Sequence, residues 1–385
     1  MSWLTAARAI EALGVRPQTL YANVSRKRIR ARPDPNDPRR SLYHEGDVRK
    51  LARKRSGPRR AEEVAAGAME WGEPVLPSAL STVVGGRLWY RGQDAIVLAE
   101  TKTLEEVAAL LWGASAAPES RSPTGAAPRL TGKLALTRAF AALAARASED
   151  PPSHARALSV LQMEATDVLA TLADALLGPS PAGSLHERLA RTWGRKPARD
   201  VLRRALVLLA DHELNASTFA TRVTVSTGAS LSAGMLAGLA TLTGPLHGRA
   251  AAGVSQLMEA AVAQGAEGAV RDCLAQGRPV AGFGHALYPA GDPRARCLLE
   301  QLALPGEYVD VQAAVEEWVG ERPNIDFALA ALTQVYSLPH EAPLIVFALA
   351  RSVGWLAHAL EQVTTGHLIR PRARYVGPRP EAARL

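Results

Sequence analysis

The chain has 385 residues, 47% hydrophobic and 21% charged, with a formal net charge of +8, as expected for a globular protein with room for two or three domains. Its only two cysteines, Cys273 and Cys297, exclude a disulfide framework, and no uninterrupted apolar run reaches the roughly 18 residues that span a bilayer. Because the first residues also lack the basic-then-apolar order of a signal peptide, we expect a cytoplasmic protein without membrane contact.

The positive charge is concentrated at the N-terminus. Residues 1–60 hold sixteen Lys and Arg against five Asp and Glu, a balance of +11, so residues 61–385 carry −3. A basic block of this kind favours an anionic partner, and nucleic acid is the first candidate. The rest of the chain gives no reason to expect one.

Short elements are predicted in the basic segment. In chain order they are a helix over residues 4–13, a second helix over 16–24, strands near 29–32 and 41–43, and a helix over 45–54. Two short helices around Gly14 followed by a hairpin resemble the winged helix-turn-helix of the MerR and excisionase type, which implies DNA as a partner of residues 1–60. The alternative is a basic arm that solubilises the protein or packs on a partner subunit.

The domain boundaries follow from these elements. We expect the helix-turn-helix domain over residues 1–57, a linker over 58–74 and the main domain over 75–385. Residues 81–94 alternate β-branched side chains around Gly85-Gly86, which predicts a hairpin. From residue 130 onward the pattern is helical and rich in Ala and Leu, no sustained period-two strand appears after residue 95, and there is no internal repeat. The main domain is therefore predicted to be all-α.

Polar clusters interrupt this helical sequence at four places. They are Asp-His-Glu-Leu-Asn-Ala-Ser at residues 211–217, Gly-Pro-Leu-His-Gly at 244–248, Gly-Phe-Gly-His-Ala-Leu-Tyr at 282–288 leading into Asp-Pro-Arg at 292–294, and Pro-Asn-Ile-Asp-Phe at 323–327. Their glycines and prolines lie where helices must begin or end. Polar side chains at such positions are placed to face a cleft.

In this order, and together with Tyr90-Arg91-Gly92, the clusters resemble the citrate synthase family over roughly residues 78–377. The resemblance implies an all-α citrate synthase fold with a large helical domain and a smaller one at about residues 249–321 that closes over the substrates. It also implies a homodimer that condenses acetyl-CoA with oxaloacetate and has no tightly bound cofactor, acetyl-CoA being a substrate.

The same resemblance implies roles for ten residues. The catalytic set is the base Asp326, with His247 as donor to the thioester carbonyl and His285 as donor to the ketone of oxaloacetate. Oxaloacetate would be bound by His212, Arg294, Arg351 and Arg370, the last reaching the neighbouring subunit's site. Coenzyme A would lie beside Asn324, Gly282 and Gly284. Arginine suits a carboxylate because its planar fork forms two parallel hydrogen bonds.

Other functions stay open. A 2-methylcitrate synthase would use propionyl-CoA, and a DNA-binding regulator would use the synthase-like body to sense a ligand. Residues 211–213 have no second His four positions on, so no zinc motif is formed, and residues 282–284 lack the third Gly of a dinucleotide site. The chain departs from many relatives after Gly248, where it has Arg-Ala-Ala-Ala from Arg249 in place of Gly-Ala-Asn-Glu. It also departs at Pro289, where many relatives carry a basic residue expected to touch coenzyme A phosphates.

Overall fold

The structure, a computed structural model, describes residues 3–13, 20, 23–24, 28–34, 37–49, 76–118, 134–180, 183–371 and 377. The chain divides into two compact units, one of Met1–Val75 with Pro371–Leu385 and one of Leu76–Arg370. The predicted linker, residues 58–74, and most of the predicted second helix, residues 16–24, lie outside the described residues. The domain limits 1–57 and 75–385 therefore stay predictions.

The described elements of the N-terminal unit are a small sheet and short helical segments. They are β1 (Trp3–Thr5), α1 (Ala6–Leu13), β2 (Ala31–Asp34) and β3 (Asp37–His44), with residues 45–49 also helical. The three strands are antiparallel in the order β1-β3-β2. A small apolar core joins them, formed by the buried side chains of Ala9, Leu13, Leu20, Ile29, Tyr43 and Val48.

Two predictions for this unit need correction or refinement. The first helix begins at Ala6 and not at residue 4, because Trp3–Thr5 pairs with β3 as a strand. The predicted hairpin is confirmed, although β2 lies over Ala31–Asp34, two residues later than expected. The winged helix-turn-helix interpretation stays a prediction.

The larger unit opens with the predicted hairpin. Strands β4 (Ser81–Val84), β5 (Arg87–Tyr90) and β6 (Gln93–Asp94) form an antiparallel sheet. Gly85 and Gly86 make the first turn with φ angles of 61° and 70°, the left-handed conformation of the common two-residue hairpin turn. Because of these strands and β1–β3, the fold is mostly helical but not all-α as predicted.

Beyond the hairpin, the regular elements in the described part of the larger unit are helices. They are α2 (Ala95–Thr101), α3 (Leu104–Trp112), α4 (Ala135–Glu149), α5 (Leu158–Leu177), α6 (Leu185–Thr192), a 3-10 turn (Lys196–Ala198), α7 (Arg199–Leu209), α8 (Ala216–Ser226), α9 (Leu231–Leu242), α10 (Ala250–Gln264), α11 (Ala266–Ala275), α12 (Pro293–Leu299), α13 (Gly306–Trp318), α14 (Ile325–Val335) and α15 (Ala342–Thr365). Thr103 and Glu106 form a reciprocal capping box at the start of α3, which satisfies two backbone donors of its first turn.

The main apolar core surrounds α15, which packs against α3, α5, α7, α8 and α9. This helix is long and apolar enough to span a membrane, with a mean hydropathy of 1.5 over an 18-residue window. It was not singled out from the sequence, because only uninterrupted apolar runs were counted there. Within that window 89% of the residues are buried inside the protein. Such burial is typical of the central helix of a globular core.

A second, smaller core is formed by α10, α11, α13 and one face of α14. Its members run from Val254 to Val315 and also include Phe327, Ala330 and Ala331. Helix α14 contributes to both cores, since Ile325 and Leu329 belong to the main one. Helix α12 lies within the predicted small-domain range 249–321, but its buried side chains join the main core. The first turns of α14 thus pack against both cores.

Candidate active site

The β4–β6 hairpin positions His212. Ser81 Oγ donates to the Asp211 carboxylate and accepts from the Glu213 backbone N–H (2.9 Å), while the Val83 N–H donates to Glu213 Oε1 (2.7 Å). The Tyr90 hydroxyl, fully buried, is hydrogen-bonded to backbone groups at the end of α7 and at Asp211. Tyr90 therefore acts through structure, by fixing the turn that presents His212.

The loop before His285 requires glycine at two positions. Gly282 and Gly284 have φ angles of 84° and 70°, which favour glycine. A Cβ on Gly282 would lie 2.6 Å from Val254 Cγ2, and one on Gly284 would lie 2.7 Å from the Glu321 carboxyl carbon. The Gly284 N–H donates to the Arg322 carbonyl (2.9 Å) and the Asn324 N–H to the Gly282 carbonyl (2.8 Å). This short ladder joins the His285 loop to the start of α14.

Asp326 lies in the first turn of α14. Its N-cap Asn324 accepts from the Asp326 N–H (3.0 Å) through Oδ1 and donates from Nδ2 to the Gly284 carbonyl (3.0 Å). Asp326 Oδ1 is buried and has no hydrogen-bond partner among the described residues. Burial raises the pKa of Asp326 to about 7, although the Arg294 charge opposes this rise. A carboxylate in this state is suited to general-base work near neutral pH.

His285 is held as a neutral hydrogen-bond donor. The Leu287 N–H donates to His285 Nδ1 (3.1 Å), so in the neutral ring the proton is on Nε2. Burial, followed by the charge of Arg294, lowers the pKa of His285 to about 4. The side chain therefore offers an Nε2–H at neutral pH without carrying a charge.

His247 lies in the turn between α9 and α10. Gly248 follows it because a Cβ there would lie 2.7 Å from Leu242. His247 Nε2 is 2.8 Å from Ser217 Oγ, which in turn accepts from Trp355 Nε1 (3.1 Å). Burial, followed by the charge of Arg351, lowers the pKa of His247 to about 4. With Nε2 occupied by Ser217, Nδ1 is the nitrogen left for a substrate.

Two buried guanidinium groups differ in their pairing. Arg294 forms a bidentate ion pair with Asp292 through Nε (2.9 Å) and Nη2 (2.8 Å), and this pairing raises its pKa although burial acts against the charge. Arg351 is only 1% exposed and donates from Nε to the Leu209 carbonyl (3.0 Å). In the described part of the chain no carboxylate lies within ion-pair distance of Arg351. Burial lowers its pKa to about 10, so it is still charged at neutral pH.

The structure brings most of the predicted site residues together. The rings of His212 and His285 lie 5.3 Å apart, and His247 and Arg351 both pack on Phe347, at 5.9 and 4.9 Å from its ring. The charge of Arg294 acts on the pKa of His212, His285 and Asp326. Across the described residues, no three or more His, Cys, Asp and Glu side chains are grouped as a metal site.

Arg370 lies apart from this cluster. It follows α15 in a tail without helix or strand, its side chain is exposed, and among the described residues no hydrogen bond or ion pair joins it to the other predicted site residues. The tail itself is anchored, because Gln362 Nε2 donates to the His367 carbonyl (2.8 Å) and the Ile369 N–H donates to Ser226 Oγ (3.1 Å). Its predicted role in a neighbouring subunit therefore stays a prediction.

Three residues of the cluster were missed as participants. Ser217 contacts His247, Tyr288 contacts His212 (2.9 Å between Oη and Nε2), and Asp292 binds both Arg294 and the Ile325 N–H (3.1 Å). All three stand inside the polar clusters found in the sequence. Their partners lie 30 or more residues away in most cases, so their contacts could be read only from the fold.

The helical body with two cores thus holds neutral histidines, a buried carboxylate of raised pKa and two buried guanidinium groups, a set suited to proton abstraction beside a carbonyl and to binding carboxylates. A model of the family described as "Citrate synthase, C-terminal domain" matches residues 127–372. Citrate synthase 2 of Bacillus subtilis is 32% identical over 346 residues, covering 78% of this chain and 93% of that protein. The chain therefore belongs to the citrate synthase family.

A further relative and a solved structure are similar to this chain over about the same share of its length. The 2-methylcitrate synthase of Shewanella oneidensis is 29% identical over 359 residues, covering 80% of this chain and 94% of that protein. Among solved structures, the citrate synthase of Thermoplasma acidophilum, in ternary complex with carboxymethyl coenzyme A and oxaloacetate, has a TM-score of 0.67 at 27% identity. The superposition covers 80% of this chain and 95% of that one. The mostly helical citrate synthase fold is thereby confirmed.

Proposed function

We propose that this cluster of residues catalyses the citrate synthase condensation. In that reaction the methyl carbon of acetyl-CoA adds to the ketone carbon of oxaloacetate, and water then cleaves the thioester to give citrate and free CoA. The observation that carries the proposal is that backbone hydrogen bonds join the loop before His285, a neutral donor, to the start of the helix that carries Asp326, whose pKa is about 7. The test is release of CoA thiol from acetyl-CoA in the presence of oxaloacetate.

Enolisation is assigned to Asp326 and His247. The Asp326 carboxylate removes a methyl proton from acetyl-CoA, and the electron pair moves to the thioester oxygen. His247 donates a hydrogen bond to that oxygen from Nδ1, which requires the single hydroxyl proton of Ser217 to turn from Asn215 Oδ1 (2.7 Å) to His247 Nε2 (2.8 Å). Because His247 is neutral at pH 7, it stabilises the developing charge as a donor without entering as a cation.

Addition to the ketone is assigned to His285. As the enol carbon bonds to the ketone carbon, the ketone oxygen gains negative charge and accepts from His285 Nε2–H. His212, Arg294 and Arg351 hold the two carboxylates of oxaloacetate. Arg351 contributes the stronger attraction because, among the described residues, no carboxylate lies at ion-pair distance from it, whereas Arg294 is paired with Asp292. The ketone oxygen takes up a proton to become the hydroxyl of a citryl thioester, and Asp326 gives up the proton that it removed from acetyl-CoA. Water then hydrolyses the thioester to citrate and CoA.

Coenzyme A is assigned to the rim formed by Gly282, Gly284 and Asn324. Asn324 uses both groups of its side-chain amide within the protein, so its part is to hold the loop against which the thioester lies. Helices α10, α11 and α13, which build the smaller core against one face of α14, would close over the site. Closure excludes water while the enol forms.

Two acyl-CoA substrates, acetyl-CoA and propionyl-CoA, are compatible with this reaction. One extra methylene in an apolar pocket changes binding by about 1–3 kcal/mol, so acetyl-CoA and propionyl-CoA are separated by pocket shape alone. We assign acetyl-CoA as the main substrate, and the similarity to a 2-methylcitrate synthase makes propionyl-CoA the alternative. Values of kcat/KM for the two acyl-CoAs, measured side by side, decide between them.

A homodimer with shared sites is proposed from the position of Arg370. The residue is exposed in an anchored tail, where it is free to complete a site on the neighbouring subunit. We expect Arg370→Ala and His285→Ala subunits, each nearly inactive alone, to recover about a quarter of wild-type activity when co-expressed, because half of the random dimers hold one intact site.

The matched control pairs Arg351→Ala with His285→Ala. Both residues are assigned to the same subunit's site, so no mixed dimer contains an intact one and activity should stay lost. Equal recovery in both pairs, or in neither when mixed dimers are isolated by two tags, would contradict a shared site.

For residues 1–60 we propose a DNA-binding winged helix-turn-helix, favoured by the +11 balance and by the described hairpin and helix. Deleting these residues should remove all affinity for duplex DNA and leave condensation near wild type. For contacts to several phosphates, DNA affinity of the full chain should fall by about 10³-fold between 50 and 200 mM salt. Gel shifts and turnover measured on the same two proteins provide the test.

Three results would separate the alternatives. Preference for one sequence by about 10³-fold or more indicates base readout. No binding at low salt leaves residues 1–60 as a structural arm. DNA binding that changes with oxaloacetate or acyl-CoA, in a protein without turnover, would favour a ligand-sensing regulator.

A further inference from the structure

Tyr288 lies among the residues proposed to bind oxaloacetate, and the proposed reaction does not use it. Its side chain is 2% exposed. Its hydroxyl oxygen is 2.9 Å from His212 Nε2, its ring is 4.9 Å from that of His285, and Arg294 Cζ lies 5.2 Å from its ring centroid. One buried side chain therefore contacts three of the residues assigned to oxaloacetate.

Backbone turns hold Tyr288 in this place. The Tyr288 N–H donates to the His285 carbonyl (2.9 Å), and the Gly291 N–H donates to the Tyr288 carbonyl (2.9 Å). The hydrogen bond to His212 links this loop to the turn that the hairpin fixes, 76 residues earlier in the chain. It thus joins the segment that carries His285 to the segment that carries His212.

Both members of this hydrogen bond are neutral near pH 7. Burial raises the pKa of Tyr288 to about 12, and burial together with the charges of Arg294 and Arg351 lowers the pKa of His212 well below its usual value. A neutral imidazole carries one proton, on either Nε2 or Nδ1. Since Nε2 faces the phenol, Nδ1 is the nitrogen available to oxaloacetate.

A carboxylate accepts hydrogen bonds and donates none. His212 can hold oxaloacetate only as the Nδ1–H form, and this form exists in the neutral ring only when Nε2 is the acceptor. The phenol must then be the donor. We propose that Tyr288 is a positioning residue for the condensation, whose hydroxyl donates to His212 Nε2 and thereby selects the tautomer that binds oxaloacetate.

This inference rests on the proposed function of His212, and one set of measurements separates the two. Wild-type turnover with oxaloacetate tests the function. Long-range proton–nitrogen spectra of protein labelled with ¹⁵N-histidine, with His212 assigned by a His212→Gln variant, test the tautomer directly. We expect the Nδ1–H pattern for His212 in the wild-type protein.

The variant Tyr288→Phe removes only the hydroxyl. We expect the His212 spectrum to change toward the Nε2–H form and KM for oxaloacetate to rise about tenfold, with kcat and KM for acetyl-CoA changing less than about threefold. The matched control is Tyr308→Phe, which removes the hydroxyl of a buried tyrosine in the smaller core, where its ring packs on Phe327 at 5.4 Å. The control should leave both the spectrum and KM unchanged.

A wild-type Nε2–H pattern at His212 would overturn the proposal, and so would an unchanged KM and tautomer in Tyr288→Phe. A merely structural role predicts a lower melting temperature with no change of tautomer, which also counts against it. If the wild-type protein shows no turnover of oxaloacetate, the proposed function fails, while the wild-type spectrum still decides the hydrogen bond.

Discussion

Replacing Asp326 with Asn is expected to lower kcat by about 10³-fold, because a positioned general base contributes roughly 10²–10⁴ to such a step. KM values should change little, since Asn keeps the shape and the N-terminal helix position of the side chain. The melting temperature should be unchanged or higher, because Asp326 Oδ1 is buried without a partner among the described residues. The matched control is Asp310→Asn, which removes an exposed carboxylate on α13.

The same carboxylate sets the expected pH profile. Burial raises the pKa of Asp326 to about 7, and only the deprotonated form accepts a proton. The value of kcat/KM for acetyl-CoA should therefore fall as the pH is lowered through about 7 and level off above it. A loss of kcat smaller than tenfold in Asp326→Asn, or a profile unaffected by pH in this range, would show that another residue is the base.

Replacing Arg351 with Gln is expected to lower kcat/KM for oxaloacetate by about 10²- to 10³-fold, since removing one partner of a buried charge pair costs roughly 2–5 kcal/mol. Most of this loss should appear in KM. Stability should be kept or increased, because in the free protein this buried cation is not paired with a carboxylate among the described residues, and its burial is unfavourable. Steady-state kinetics and thermal melting measure the two effects.

Arg222 provides the contrast. It is equally buried, but it is paired with Glu361 (2.7 Å) and donates to Gln362 (2.8 Å). Arg222→Gln should therefore lower the melting temperature, because it leaves a partly buried carboxylate without its partner. If Arg351→Gln is instead the less stable variant and binds oxaloacetate normally, Arg351 is a structural residue.

The sequence was sufficient for the parts of the site that depend on local chemistry. The polar clusters stand where Gly and Pro end helices, and the fold places His212, His247, His285, Arg294 and Asp326 at such ends, near one another. The hairpin over residues 81–94 was also predictable, because Gly85-Gly86 specifies its turn.

What escaped prediction depends on contacts between distant segments. Ser217 reaches His247 and Trp355, the latter 138 residues away. The pairing of Trp3–Thr5 with β3 overrides a helical pattern that looked continuous from residue 4. Periodicity and capping act over a few residues, whereas these contacts exist only after the helices and strands have packed.

The condensation itself is measured most directly by incubating the full-length wild-type protein with oxaloacetate and either acetyl-CoA or propionyl-CoA, following free CoA thiol and identifying the acid product by mass spectrometry. We expect one citrate for each CoA released, higher kcat/KM with acetyl-CoA than with propionyl-CoA, and near-complete loss in Asp326→Asn but not in Asp310→Asn. Release of CoA without a condensed acid, or no release with either acyl-CoA, would contradict the proposed function.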